Sequence, residues 1–108
     1  MTSMKDREEA FERMFVRDEE LKFRAMSRRN KLFGLWAAEK LGKSGDEAEA
    51  YAREVMNADF EEAGDHDVFR KVRKDFDAAG VAQSDHQIRR TMDELLAQAV
   101  EDIQKSQQ

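Results

Sequence analysis

Two clusters of acidic and histidine side chains are the residues best suited to chemistry in this sequence. Asp65, His66 and Asp67 form one cluster, and Asp85 with His86 forms the other. Imidazole and carboxylate groups bind metals and transfer protons. Each cluster also lies within two residues of a predicted helix start, where acidic side chains cap the helix and interact favourably with its dipole. We therefore predict no catalytic residue and no metal site, and keep an enzyme that uses Asp65 to Asp67 as an alternative.

The sequence lacks the residues or the spacing that cysteine-based catalysis and phosphate-binding loops require. The sequence contains no Cys, so it offers neither a thiolate nucleophile nor a disulfide framework. The fragment Gly42-Lys43-Ser44 lacks the spaced first glycine and the upstream strand of a phosphate-binding loop. These absences favour a protein that binds over one that catalyses.

An apolar stripe within a highly charged segment is the clearest binding pattern. Phe11, Met14 and Phe15 are spaced at i, i+3 and i+4, while more than half of the first 20 residues are charged. Helices that dock in a partner's groove use anchors at this spacing. So few apolar residues bury too little surface to keep the segment folded by itself. We predict that residues 1–20 form a partly disordered arm that becomes helical on binding.

Glycines and helix caps divide the rest of the chain. The stop signals are glycines, at Gly42, Gly64 and Gly80. The start signals are Ser44 with Glu47, then Asp65, then Ser84 with Gln87. Because the sequence contains no proline, the helices can continue up to these glycines. We predict an all-α fold, a four-helix bundle over residues 21–108 with the arm at its N-terminus.

Apolar residues recur at helical spacing in each of the four segments. In the first, Leu21, Ala25, Leu32, Phe33 and Trp36 share a face with Met4, Phe11, Met14 and Phe15. The later stripes are Ala48, Tyr51, Ala52, Val55, Met56 and Ala63; then Val68, Phe69, Val72, Phe76 and Ala79; then Ile88, Met92, Leu95, Leu96, Ala99 and Ile103. The short connections favour antiparallel neighbours.

Gly34 interrupts the most apolar stretch of the chain, Leu32 to Leu41. A glycine inside a helix costs about 1 kcal/mol relative to Ala. Close approach by another helix or a hinge would each account for it. We favour close approach, because the following LWAAEKL is strongly helix-forming.

Charge and hydropathy limit the partners. The net charge of −5 argues against nucleic acid and anionic membranes. The sequence has neither a signal peptide nor an apolar run long enough for direct membrane insertion, which favours the cytoplasm. Residues 22–31 carry five cations and no acid. This basic run is either a solvated helix face that pairs within the molecule or a docking surface.

The run DREEAFERMFVRDEELKFRAMSRRNKLFGLWAAEKLG, residues 6–42, closely resembles the zeta-type inhibitor subunit of alphaproteobacterial F-type ATP synthases. The pairs Tyr51-Ala52, Gly64-Asp65, Asp67-Val68 and Lys71-Val72 extend the resemblance over nearly the whole chain. The resemblance implies a four-helix bundle with an N-terminal inhibitory segment and no active site of its own.

The resemblance also implies a mechanism of inhibition. The arm of this family enters the interface between catalytic and non-catalytic subunits, beside the central stalk, and blocks rotation in the direction of ATP hydrolysis. The partner-binding residues expected here are Met4, Arg7, Phe11, Arg13, Met14, Phe15 and Arg17. Bound to the synthase, the protein would lie at the inner face of the plasma membrane. We predict no cofactor apart from weak adenine nucleotide binding on the bundle, and an adenine-nucleotide sensor is the alternative function.

Overall fold

The computed structural model describes residues 19–58 and 66–106, and they form four α-helices. The helices are α1 (Glu19–Lys40), α2 (Gly45–Ala58), α3 (His66–Ala79) and α4 (Asp85–Ser106). No strand occurs within the described ranges. The predicted four-helix fold is therefore confirmed. Residues 1–18 of the predicted arm, the stop at Gly64 and the cap at Asp65 lie outside the described residues.

Two of the predicted glycine stops close their helices in the same way. Gly42 and Gly80 adopt φ angles of 79° and 71°, in the left-handed region that favours glycine. After α1, the Lys43 N–H donates to the Ala38 carbonyl at 2.9 Å, and after α3 the Val81 N–H donates to the Phe76 carbonyl at 2.9 Å. These bonds satisfy carbonyls that the last helical turn leaves open, as in the Schellman motif.

The predicted capping box at the start of α4 is complete. The Ser84 backbone N–H donates to Gln87 Oε1 at 2.8 Å, and the Gln87 backbone N–H donates to Ser84 Oγ at 3.1 Å. Without these bonds, both N–H groups would lack a hydrogen-bond acceptor, because the first turn of a helix offers none. Helix α2 begins directly after Ser44, whose carbonyl accepts from the backbone N–H groups of Glu47 and Ala48.

All four helices contribute to a main core. Its buried members are Phe33, Ala37, Ala38, Tyr51, Val55, Val68, Phe69, Val72, Phe76, Ile88 and Met92. The Trp36 ring packs between aromatic neighbours, with its centroid 5.8 Å from that of Phe33 and 5.6 Å from that of Phe76. The described members of the predicted stripes are therefore buried or partly buried, except that Ala79 is exposed because α3 ends at that residue. Ala63 and the stripe residues that precede α1 lie outside the described residues.

A second, smaller cluster joins only α1 and α4. Ala25 of α1 packs with Leu96, Val100 and Ile103 of α4, and Leu21 and Met26 lie partly buried against them. We call these residues the end cluster. It holds the first turns of α1, the part of the helix that follows the predicted arm.

Gly34 lies at a close contact between α1 and α2. A Cβ atom added there would be 2.7 Å from Ala52 Cα and 3.1 Å from Ala52 Cβ. Both distances are shorter than an ordinary carbon–carbon contact. The close approach of another helix to Gly34, which we favoured from the sequence, is therefore present. Helix α1 continues through Gly34 without a break.

Candidate partner-binding surface

The predicted partner-binding residues all precede α1. They are Met4, Arg7, Phe11, Arg13, Met14, Phe15 and Arg17, and they lie outside the described residues. Their roles therefore stay predictions. The described structure does define the base on which the arm is carried, which is the first half of α1.

An ion pair connects the first half of α1, the base of the arm, to α4, in addition to the apolar contacts of the end cluster. Arg28 Nε donates to Asp102 Oδ2 at 3.1 Å, and Gln98 Nε2 donates to Asp102 Oδ1 at 2.9 Å. The hydrogen bond from Gln98 and the charge of Arg28 hold the pKa of the Asp102 carboxyl below its usual range. The carboxylate therefore stays ionised and fixes the side chain of Arg28.

The basic run is not one uniform surface. Arg29 is fully buried, and its Nε donates to Asn30 Oδ1 at 2.7 Å. Arg24 is exposed, and Arg28 pairs within the molecule. Burying a guanidinium requires hydrogen bonds or opposite charge around it. The run thus combines a structural cation with exposed ones, a division that the residue types alone do not reveal.

Phe23 is a candidate contact residue that the sequence pattern did not single out. Its side chain is 59% exposed, and no other large apolar side chain in the described part of the chain is as exposed. It lies off the apolar stripe of α1 that Leu21 and Ala25 continue. That displacement from the stripe is the signal by which the sequence could have identified it.

A polar cluster joins α2 to α3. Tyr51 Oη donates to Asp75 Oδ2 at 2.7 Å, and Lys71 Nζ lies 2.9 Å from Asp75 Oδ2 and 2.9 Å from Glu54 Oε1. Burial and the Asp75 carboxylate raise the pKa of the Tyr51 hydroxyl, so it remains a donor. Partial burial lowers the pKa of Lys71, but its bonds to Asp75 and Glu54 outweigh burial and raise it. Stable protonation suits a structural clamp rather than proton transfer.

The acidic and histidine cluster at the start of α3 is also engaged in structure. Asp67 is buried and forms an ion pair with Arg70. His66 Nδ1 lies 3.0 Å from Arg89 Nη2, and the Arg89 guanidinium lies 4.0 Å above the Phe69 ring. A guanidinium directed at Nδ1 occupies the position that a metal would need. Within residues 19–58 and 66–106, no three acidic or histidine side chains are grouped closely enough to hold a metal ion.

Two open hollows lie on the surface formed by residues 19–58 and 66–106. One, of about 310 Å³, is lined by Ala58, Asp67, Arg70, Lys71 and Lys74, and we call it the basic hollow. The other, of about 260 Å³, is lined by Trp36, Lys40, Gln83, Gln87, Arg90, Thr91 and Glu94. The basic hollow has the charge to attract an anion, although Arg70 and Lys71 already face carboxylates.

None of the described helices combines the length and the apolar character needed to cross a lipid bilayer.

Comparison with known proteins decides the family. A family model described as ATPase inhibitor subunit zeta matches residues 1–102. The chain belongs to the ATPase inhibitor subunit zeta family. The match to the zeta family includes residues 1–18 as well as all of α1, α2 and α3. The match confirms the resemblance to the zeta family that residues 6–42 indicated.

A solved structure shares the fold of this chain. A protein whose structure was solved in solution by NMR is 50% identical to this chain and aligns with a TM-score of 0.71. The alignment covers 80% of this chain and 98% of the solved one. No curated protein matches the sequence. Membership of an inhibitor subunit family indicates a regulatory protein rather than a catalyst.

Proposed function

We propose that this chain inhibits ATP hydrolysis by an F-type ATP synthase and that its N-terminal arm is the inhibitory element. The observation that carries the proposal is the family match, which begins at residue 1 and so extends over the arm. The family is one of ATPase inhibitor subunits. In the described helices the apolar stripes already pack against one another. We therefore assign the stripe at Phe11, Met14 and Phe15 to a partner.

The arm acts as a wedge in this proposal. It becomes helical as it enters the interface between catalytic and non-catalytic subunits, beside the central stalk, and so obstructs rotation in the hydrolytic direction. Ordering each arm residue costs about 1–2 kcal/mol of backbone entropy. Burial of one Phe side chain returns about 1.5–3 kcal/mol. Inhibition should therefore depend strongly on Phe11 and Phe15, while the bundle holds the base of the arm in place.

The first test is ATP hydrolysis by a purified F-type ATP synthase from which its own inhibitor has been removed. The full chain should inhibit, and a chain that begins at Glu20 should not. The main core and the end cluster lie within residues 21–103, so the shortened chain keeps all the packing that forms the bundle. Its circular dichroism and thermal midpoint check that it folds. Equal inhibition by both chains would mean that the inhibitory surface lies on the bundle and not on the arm.

The second test keeps the full chain and changes only the anchors. Phe11→Ala combined with Phe15→Ala should raise the concentration for half-inhibition by at least about tenfold, because two aromatic contacts are lost. Glu8→Ala combined with Glu12→Ala is the matched control, since these residues have the same i, i+4 spacing and carry no apolar surface. Unchanged inhibition by the Phe pair would show that the anchors were assigned wrongly.

A second function, adenine-nucleotide sensing, has one observation in its favour, the cations of the basic hollow. Titration of the full chain with ADP by calorimetry tests it directly. Saturable binding that Lys74→Gln weakens would support a sensor, because Lys74 is an exposed cation of the basic hollow. Absence of saturable binding, together with inhibition of hydrolysis, would leave the inhibitor function alone.

A further inference from the structure

The start of α1 packs against the second half of α4. Ala25 of α1 contacts three aliphatic side chains of α4, those of Leu96, Val100 and Ile103. All four side chains are buried. The contact therefore joins the helical turns that directly follow the arm to a part of the chain that is distant from the arm in sequence.

The first turns of α1 need this contact to stay helical. Four of the six residues 19–24 are charged, so the segment has little apolar surface of its own. Short helical stretches of this kind are marginal in water, and helix ends open first where few apolar contacts hold them. We therefore expect the packing on α4 to decide how often the start of α1 is folded in the free protein.

The sequence allows the arm and α1 to form one continuous helix. Neither glycine nor proline occurs before Gly34, so no residue type that breaks helices separates the two segments. Asp18 precedes Lys22 by four positions, and Glu20 precedes Arg24 by four. An acid four residues before a base stabilises a helix. An arm that becomes helical on binding can therefore extend α1.

Extending a folded helix is much easier than starting one. The first turn of a helix carries a statistical weight of about 10⁻³, whereas each residue added to an existing helix is close to neutral. A folded start of α1 spares the arm this unfavourable first step. In molecules whose α1 has opened at its start, the arm has no helix to extend. Only the closed fraction of the free protein is then ready to bind.

We propose that Leu96, Val100 and Ile103 are positioning residues for inhibition, which keep the start of α1 folded as the helical nucleus that the arm extends on the ATP synthase. This proposal rests on the inhibitor function proposed above. The three side chains act through α1 and need no contact with the synthase. They set the affinity and not the maximal inhibition, because every bound molecule has a closed α1.

The test measures inhibition of ATP hydrolysis by the inhibitor-free synthase and amide hydrogen exchange of the free chain, both with full-length variants. Leu96→Ala combined with Ile103→Ala should raise the concentration for half-inhibition about tenfold, which corresponds to a start of α1 that is closed about a tenth of the time. Maximal inhibition should not change, and exchange in residues 19–28 should become faster. Leu96→Ala alone should shift both measurements in the same directions by less, and it provides the test if the double variant does not fold.

Two control variants separate positioning from general stability. Ile88→Ala removes a buried side chain from the main core, near the other end of α4. It should lower the thermal midpoint but leave the concentration for half-inhibition and the exchange of residues 19–28 unchanged. Leu96→Met keeps most of the apolar volume of the end cluster, so it should inhibit almost as well as the parent.

The outcomes separate the two proposals. If the parent chain does not inhibit, the inhibitor function fails. If the parent and the double variant inhibit equally, the inhibitor function stands and the positioning role is overturned. Equal weakening of inhibition by Ile88→Ala would assign the effect to general stability, which also overturns it. Unchanged exchange of residues 19–28 in the double variant would show that the end cluster does not hold α1 closed, with the same consequence.

Discussion

The main core and the end cluster differ in how many helices hold them. Four helices and several aromatic side chains form the main core, whereas α1 and α4 alone form the end cluster. Because stabilisation scales with the apolar area removed from water, the main core should dominate the free energy of unfolding. The end cluster fixes the first turns of α1, next to the arm. The bundle thus has a stable body and a weaker end.

The largest effect is expected in the main core. Phe76 is fully buried and its ring packs against Trp36. Phe76→Ala should lower the free energy of unfolding by about 3–5 kcal/mol, because it removes apolar contacts and leaves a cavity. Urea denaturation followed by Trp36 fluorescence measures this. A loss below about 1 kcal/mol would show that the main core does not dominate stability.

A smaller and more local effect is expected in the end cluster. Leu96→Ala removes a buried side chain that packs between α1 and α4. The loss should be about 2 kcal/mol, at the low end for such changes, because only two helices must adjust around the cavity. Amide hydrogen exchange should increase mainly in residues 19–28 and in the last turns of α4. Equal acceleration throughout the main core would mean that the two regions unfold as one unit.

The contact between α1 and α2 gives the third prediction. Gly34→Ala gains about 1 kcal/mol of helix propensity, but its Cβ would lie 2.7 Å from Ala52 Cα. Because the obstructing atom belongs to the backbone, the two helices must separate, at a cost of about 1–3 kcal/mol. We expect net destabilisation of about 1 kcal/mol by urea denaturation. Net stabilisation would show that α2 can move away at little cost and that the packing is looser than the structure indicates.

Local signals made most of the fold predictable. Gly42 and Gly80 end helices by backbone conformations that few other residues tolerate, and Ser84 with Gln87 forms a cap from residues three positions apart. Such features depend on short stretches of chain and can be identified there. The apolar stripes likewise depend only on helical spacing.

Features that depend on distant parts of the chain were harder to predict. Arg29 appeared to be one cation of a basic run, yet the packing of α1 in the bundle buries it. Phe23 is 59% exposed, and whether a residue on that side of α1 is covered depends on which elements pack there. Burial is decided by how elements meet, so composition alone could not assign either residue.

The partner-binding residues were predicted in a different way. The stripe at Phe11, Met14 and Phe15 suggested a binding element, but the identity of its partner came from the resemblance of residues 6–42 to a family. The family match confirms that resemblance. It does not test single side chains, so their roles depend on the inhibition experiments.

The smallest effect concerns the ion pair that ties α1 to α4. Asp102→Asn removes the charge that faces Arg28, and because both side chains are partly exposed the loss should be about 0.5 kcal/mol or less at neutral pH. The pKa of Asp102 is lowered in the folded protein, so its contribution is complete above the ordinary Asp pKa of about 4. It disappears as the pH falls through the lower, folded pKa. Denaturation of the parent and of Asp102→Asn should therefore differ at pH 7 and converge in acid. A difference that grows on acidification would mean that Asp102 is stabilised in its protonated form and does not serve as the counter-charge of Arg28.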